Sequence, residues 1–408
     1  MITGTLGYSI PKRHEISSKL KLDDGISLLR KQTYLHKTLI YNTLISGMIL
    51  LNRQIGYEVI KNLYDLIHKN KPMKTQQPNE FDLQLTPVFD IQPESEGPAF
   101  LQDVLKGLTA SSKYLNSKYF YDATGDKLFQ RIMGMDEYYP FQCEMEIFTT
   151  LTAEIADIIT TQGKNFDLIE LGAGDGTKSI HLLKLLSAMN ADYTYMPIDI
   201  SANVIEHLVQ NLPVIIPGVK VTGLNGGYFE MLKMAKDISK RRKVIMFLGS
   251  NLGNMPLREA MEFCRRMRTL LRPGDLIIAG IDLKKNPATI LAAYNDRSGI
   301  TKAFNLNLLS RINRELDANF NLTEFEHYPT YDPKTGSCIS YLMSKKDQNI
   351  TVNGKNIYFT KDEYIEMEIS QKYSIEDIES LAASASFRTN EMFFDSRKWF
   401  VDVIWTVV

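Results

Sequence analysis

Short, nearly unbroken apolar runs occur at 167–171, 193–199, 244–248 and 275–282, and stretches with apolar residues three or four apart, at 181–189, 202–212 and 256–271, separate them. Strands buried on both faces read as continuous apolar runs, and surface helices read as spaced ones. The pattern predicts an α/β protein with a doubly wound parallel sheet, with one further short strand at 219–223. Beyond 285 the pattern changes. Residues 287–316 read as mostly helical, and 325–369 as short alternating strands with turns at Pro333-Lys-Thr-Gly336 and Asn353-Gly354, the second a hairpin signal. A helix at 375–386 and an antiparallel pair, Glu391-Met-Phe-Phe394 and 399–407, are expected to close the sheet.

Upstream, helices are expected at 100–108 and, with strong amphipathic spacing, at 144–159; Pro140 is expected to end whatever helix precedes it. Pro87, Pro93, Gly97 and Pro98 mark 83–98 as linker. Residues 26–69 carry helix-like apolar spacing. Their most apolar run, 39–51, contains Asn42, Thr43 and Ser46 and falls short of the roughly 20 apolar residues of a membrane span. Four parts follow: 1–98, a basic helical extension and linker; 99–285, N-terminal helices and the main sheet; 286–370, an inserted α+β domain; and 371–408, a return to the sheet.

Composition narrows the function. A net charge of −1 and a pI near 6.6 argue against a general nucleic-acid binder. The charge is uneven: 1–72 carries a net +6, so the remainder carries −7. That basic segment leaves open a noncatalytic module anchored through its N-terminus. Cys143, Cys264 and Cys338 and six scattered histidines form no metal-ligand spacing; no metal is expected, and the thiols are read as reduced in a cytoplasmic protein.

The candidate chemistry sits at Asp167-Leu-Ile-Glu-Leu-Gly-Ala-Gly-Asp-Gly-Thr-Lys178. Gly172, Gly174 and Gly176 clear side chains from a strand-to-helix loop where backbone can approach a nucleotide. Glu170 is expected to hydrogen-bond the loop or its ligand. Asp199 ends the next strand 27 positions after Gly172, near the interval at which an acid reaches a ribose. Two cofactors compete. An NAD-dependent oxidoreductase would carry a third fingerprint glycine at 177, where this chain has Thr177, whereas acid-apolar-Gly-x-Gly-x-Gly resembles the first motif of class I methyltransferases, which implies S-adenosylmethionine.

From about Ala99 onward the chain resembles the L-histidine Nα-methyltransferases of ergothioneine biosynthesis. The likeness rests on Asp103-Val-Leu-Lys-Gly-Leu-Thr109, Tyr119-Phe-Tyr-Asp-Ala-Thr-Gly125, Glu137-Tyr-Tyr-Pro140, Glu170-Leu-Gly-Ala-Gly174 and Phe247-Leu-Gly-Ser250. It continues through Gly253-Asn254, Arg272-Pro-Gly-Asp275, Ala293-Tyr294, Ala303-Phe-Asn305, Asn313-Arg-Glu-Leu316 and Glu368-Ile-Ser370. The resemblance implies a class I, Rossmann-like methyltransferase sheet with a second, partly inserted domain over the amino-acid site. It assigns S-adenosylmethionine to Gly172, Gly174, Lys178 and Asp199. Adenine falls to Gly227 and Tyr228, where relatives usually carry an acid. The amino acid is assigned to Tyr121, Tyr138, Asn254, Tyr294, Glu368 and Ser370, the carboxylate to Asn254, Tyr138 and Tyr294, and the imidazole to Glu368 and Ser370. No side chain is assigned as a catalytic base.

Histidine is the expected substrate, carried to its trimethylated betaine; a tryptophan derivative is the competing one. A monomer without stable membrane insertion is expected. Periodicity alone points the other way at Glu368, which alternates with Met367 and Ile369 and so reads as a solvent-facing strand position. Asn254 reads equally well as the cap of the helix near Pro256. Tyr341 is left without a role.

Overall fold

The computed structural model describes residues 88–90 and 96–408. The expectations for 1–87 and 91–95, including the basic helical segment, lie outside the described residues. The main sheet runs in the order Val88–Asp90, Gly223–Asn225, Asp192–Asp199, Asn165–Leu171, Arg242–Phe247, Leu276–Asp282, Phe400–Val407, Phe387–Phe394. All pairings are parallel up to Leu276–Asp282; the last two strands run antiparallel. This is the class I methyltransferase arrangement, a Rossmann-like sheet closed by a reversed strand. The order turns back on itself between Asn165–Leu171 and Arg242–Phe247, and open α/β sheets bind ligands outside the carboxyl ends of such a pair.

Alternation explains why the strands read as apolar throughout. Phe166, Leu168, Val244 and Ile278 pack on one face, and Ile169, Leu171, Ile245 and Ile277 on the other, each face covered by helices. A second sheet, Lys113–Tyr114, Tyr364–Gln371, Ser337–Ser344 and Phe325–Asp332, packs on a third core. That core mixes Phe100, Leu108, Phe120 and Ile132 with Phe304, Leu308, Leu342 and Met367. The N-terminal helices therefore pack with the later residues rather than only beside the main sheet.

Three local expectations are corrected. Pro140 opens the helix Tyr139–Thr150 instead of ending one, because a first-turn residue needs no N–H partner. The stretch expected as one helix at 144–159 is two, Tyr139–Thr150 and Thr152–Thr161, broken at Leu151. Within the segment read as linker, Val88–Asp90 adds an edge strand to the main sheet and the helix Glu96–Leu108 begins. The Asn353-Gly354 hairpin is present, with φ of 45° and 76°, the sign that a two-residue turn between twisted strands requires. Among the described residues no helix is long and apolar enough to cross a membrane.

Candidate active site

The glycine loop leaves the end of Asn165–Leu171, with Gly172, Gly174 and Gly176 at φ of 70°, 53° and 68°. The Gly172 and Ala173 N–H groups donate to the Ile198 carbonyl at 2.8 and 3.2 Å, tying the loop to the next strand. A Cβ on Gly172 would stand 2.9 Å from Tyr228 Oη and 3.2 Å from Asn251 Nδ2, whereas one on Gly174 would meet no atom within 4 Å. Gly172 is thus required by protein packing, and Gly174 opens on free space.

Asp199 faces this loop. Its Oδ2 accepts from the Gly174 N–H at 3.2 Å and its Oδ1 from the Ser201 N–H at 2.9 Å. Burial raises its carboxyl, against the pull of those backbone donors. Asn225 Nδ2 and the Gly226 N–H both donate to the Asp199 carbonyl, which brings Gly227 and Tyr228 alongside at the start of Tyr228–Ile238. Burial and then Asp199 push the Tyr228 hydroxyl up to about 12.

Glu170 has a different task from the one expected. It is buried, accepts from Ser179 Oγ at 2.6 Å and Tyr195 Oη at 2.5 Å, and is raised by burial to about 7. It fastens the strand to the start of Ser179–Ala188 and to the neighbouring strand. Lys178 turns its ammonium to Glu144, whose two oxygens also accept from the Gly249 N–H at 2.8 and 2.9 Å. This pair joins the glycine loop to the turn after Arg242–Phe247. Asp402 lies buried beside Glu144, its carboxyl raised well above the usual range by burial and then by Glu144.

An aromatic wall runs from the N-terminal elements toward the second sheet. Tyr121 meets Phe129 edge-on at 5.7 Å, Phe129 meets Tyr138 at 6.5 Å, and Tyr138 meets Tyr294 at 6.2 Å. Tyr121 keeps 39 % exposure, yet its hydroxyl is raised well above the phenol range, first by burial and then by Glu368, Tyr138 and Tyr228. An accessible surface joined to a desolvated hydroxyl marks a side chain lining a cleft. Tyr138 and Tyr294 are raised in the same way, and Glu368 contributes to both.

Glu368 and Ser370 lie on Tyr364–Gln371, and here alternation misleads. Ser340 pairs with Glu368 and Tyr341 with Glu366, leaving Met367 as an extra residue. Such a bulge puts two consecutive side chains on one side. Glu368 and Ser370 consequently share the inward face of Cys338, Ser340 and Leu342, while Tyr341 faces outward against Tyr364. The Glu368 carboxyl is raised to about 7 by burial, opposed by Lys372.

Asn254 ends the turn Asn251–Asn254, which Ser250 enters at φ 57°. Tyr373 Oη donates to the Leu252 carbonyl at 2.9 Å, and a Cβ on Gly253 would stand 2.8 Å from the Gln371 carbonyl. The turn is thereby held against the chain that leaves Ser370. Asn254 does not cap the following helix, which starts behind Pro256 without a side-chain cap. Its Nδ2 approaches Asn251 Oδ1 at 3.4 Å, and Asn251 in turn borders Gly172.

Sequence reasoning missed the polar layer beneath these residues. Tyr294 Oη lies 2.6 Å from Ser370 Oγ, and Lys372 Nζ donates to both, at 2.7 and 2.8 Å. Lys372 is fully buried and pairs with Asp282 at 2.6 Å. Asp282 also pairs with Lys285 and accepts from Tyr139 Oη at 2.8 Å. Burial works to raise the Asp282 carboxyl, but Lys372 and Lys285 hold it below the ordinary value. The available signals were an acid at the end of an apolar strand and a lysine two places after Ser370.

One end of this cleft is glycine backbone with the Asp199 carboxylate; Asp126 is raised by burial and then by Asp199, so it faces the same acid. A carboxylate bonded to open backbone suits a cationic nucleoside such as S-adenosylmethionine. The other end offers hydroxyls, an amide and the Glu368 carboxyl, a set suited to a small polar zwitterion.

Comparison with known proteins agrees. The family described as histidine-specific, S-adenosylmethionine-dependent methyltransferase matches residues 100–407. The histidine N-alpha-methyltransferase of Mycolicibacterium smegmatis is 32% identical over 304 residues, covering 74% of this chain and 93% of that one. That of Mycobacterium tuberculosis is 31% identical over 290 residues, covering 70% and 88%. Ergothioneine biosynthesis protein 1 of Neurospora crassa is 32% identical over 273 residues, covering 65% of this chain and 30% of that longer protein. With its class I fold and glycine loop, the chain belongs to the S-adenosylmethionine-dependent, histidine-specific methyltransferase family and is an amino-acid N-methyltransferase.

Proposed function

We propose that this protein methylates the α-amino group of L-histidine three times, giving the betaine. The observation that carries the reading is the bulge that turns Glu368 and Ser370 inward beside Tyr294. In this reading Gly172, Gly174, Lys178, Asp199, Gly227 and Tyr228 hold S-adenosylmethionine, which supplies an electrophilic methyl group on a sulfonium. Asn254, Tyr138 and Tyr294 hold the substrate carboxylate, and Glu368 and Ser370 hold the two ring nitrogens. Pinned at both ends, the substrate has its amine fixed between them, and positioning of this kind supplies much of a rate enhancement. The amine reacts through its lone pair, so it is bound neutral or passes its proton to water. The ring faces of Tyr121 and Tyr138 suit the cationic product.

The domain division follows the same reading. The main sheet with 371–408 carries the cofactor, and 286–370, packed with the helices from 96 to 133, covers the amino acid. We also take the protein to be a cytoplasmic monomer, consistent with three free, buried cysteines. Mass spectrometry of histidine and of tryptophan derivatives after incubation with the purified chain and S-adenosylmethionine tests the activity. Mass gains of one, two and three methyl groups on histidine are expected; methylation of tryptophan derivatives alone overturns the histidine reading.

A further inference from the structure

Resting on that reading of the cleft, we infer that histidine is held as its imidazolium, with Lys372 the positioning residue that makes Ser370 an acceptor toward the ring. The hydrogens on the Lys372 ammonium fix this state. An ammonium has three, and Lys372 spends them on Tyr294 Oη at 2.7 Å, Ser370 Oγ at 2.8 Å and Asp282 Oδ2 at 2.6 Å. None remains for a ligand. Its backbone is clamped as well: the Lys372 N–H donates to the Gly336 carbonyl at 2.7 Å, and the Tyr373 N–H to the Asp282 carbonyl at 3.0 Å.

The Tyr294 and Ser370 oxygens, 2.6 Å apart, must have one hydroxyl hydrogen between them, so the pair turns a single hydrogen outward. A phenol is the stronger acid and a carboxylate the stronger acceptor, so that hydrogen is Tyr294's, given to the substrate carboxylate. Ser370 then donates to Tyr294, receives Lys372 on one lone pair and has only the other for the ring. With Ser370 and the Glu368 carboxylate both accepting, both ring nitrogens carry hydrogen.

The groups around Lys372 do not alter this count: the hydroxyls of Tyr121, Tyr138 and Tyr139 and the buried Cys338 thiol, pushed up to about 12 by burial, stay neutral, and Lys285 pairs with Asp282.

The test is nitrogen NMR of histidine labelled at both ring positions, bound to the full chain with S-adenosylhomocysteine at pH 8, where the free ring is mostly neutral. Both ring nitrogens are expected to bear hydrogen. In Tyr294→Phe the Ser370 hydroxyl is released to donate, so one nitrogen should lose its hydrogen although Tyr294 does not touch the ring. A bare ring nitrogen in the wild-type complex overturns the inference, as do two hydrogens persisting in the variant; if the variant does not fold, the wild-type spectrum decides. Absence of any bound histidine in wild-type protein that binds S-adenosylhomocysteine would instead refute the histidine reading itself.

Discussion

Ser340 stands opposite Glu368 in the second sheet, while the next residue, Tyr341, stands opposite Glu366. The unpaired Met367 between them reverses the alternation and brings a carboxyl that the pattern sends to solvent into the cleft. Substituting that carboxyl separates the two halves of the site. Glu368→Ala should raise the KM for histidine roughly 10- to 100-fold, the worth of a hydrogen bond to a charged group, and leave the affinity for S-adenosylmethionine within about twofold. Calorimetric titration of each ligand checks this. Equal losses for both ligands remove Glu368 from the ring site.

The loop glycines make a second pair of contrasting variants. In Gly172→Ala the new methyl meets Tyr228 Oη at 2.9 Å on top of the left-handed backbone cost of about 1–2 kcal/mol. Both stability and cofactor binding should fall. Gly174→Ala has the same backbone cost and meets no protein atom within 4 Å. Its melting temperature should fall less than that of Gly172→Ala while its affinity for S-adenosylmethionine still drops at least tenfold, because the methyl enters the cofactor's space. Unchanged cofactor affinity in Gly174→Ala places the nucleotide elsewhere.

Glu170 yields a pH prediction. Its folded value of about 7 lies above the ordinary 4.5, so the stability associated with its protonated form is fully present below about pH 4.5. That stability is lost as pH rises through about 7. Glu170→Gln cannot ionise and should not suffer that loss. Thermal unfolding between pH 4.5 and 7.5 should show the variant gaining on wild type as pH rises. Parallel curves over that window count against a desolvated Glu170.

Lys178 and Glu144 connect the glycine loop to Gly249. Lys178→Met leaves Glu144 without its counter-charge, next to the buried Asp402. Breaking a buried pair from one side is strongly destabilising, about 3–5 kcal/mol. Lys178→Met/Glu144→Gln should recover part of the lost stability, read as a melting temperature above that of the single variant. A double variant no more stable than Lys178→Met argues against the pair.

Local sequence carried the parts of this protein whose physics is local. Strands buried on both faces are apolar at most positions, glycines at positive φ occupy a loop whose backbone other residues adopt only at a cost, and Asn353-Gly354 favours a tight turn; with Asp199 at a strand end, these outlined the main sheet and one end of the cleft. Leu151 splitting a helix left no such mark, and neither did Val88–Asp90 joining the sheet, which depends on Gly223–Asn225, a partner distant in sequence. The same holds for the chemistry. Met367 becomes a bulge only against the register of Ser337–Ser344, and Lys372, Asp282, Lys285 and Tyr139 become one buried charge network only once residues up to 233 positions apart, Tyr139 and Lys372, are folded together. Backbone preference and burial were thus written in the sequence, whereas the direction of Glu368 and the partner of each buried charge were decided by tertiary packing, since register and desolvation exist only between chain segments that have met.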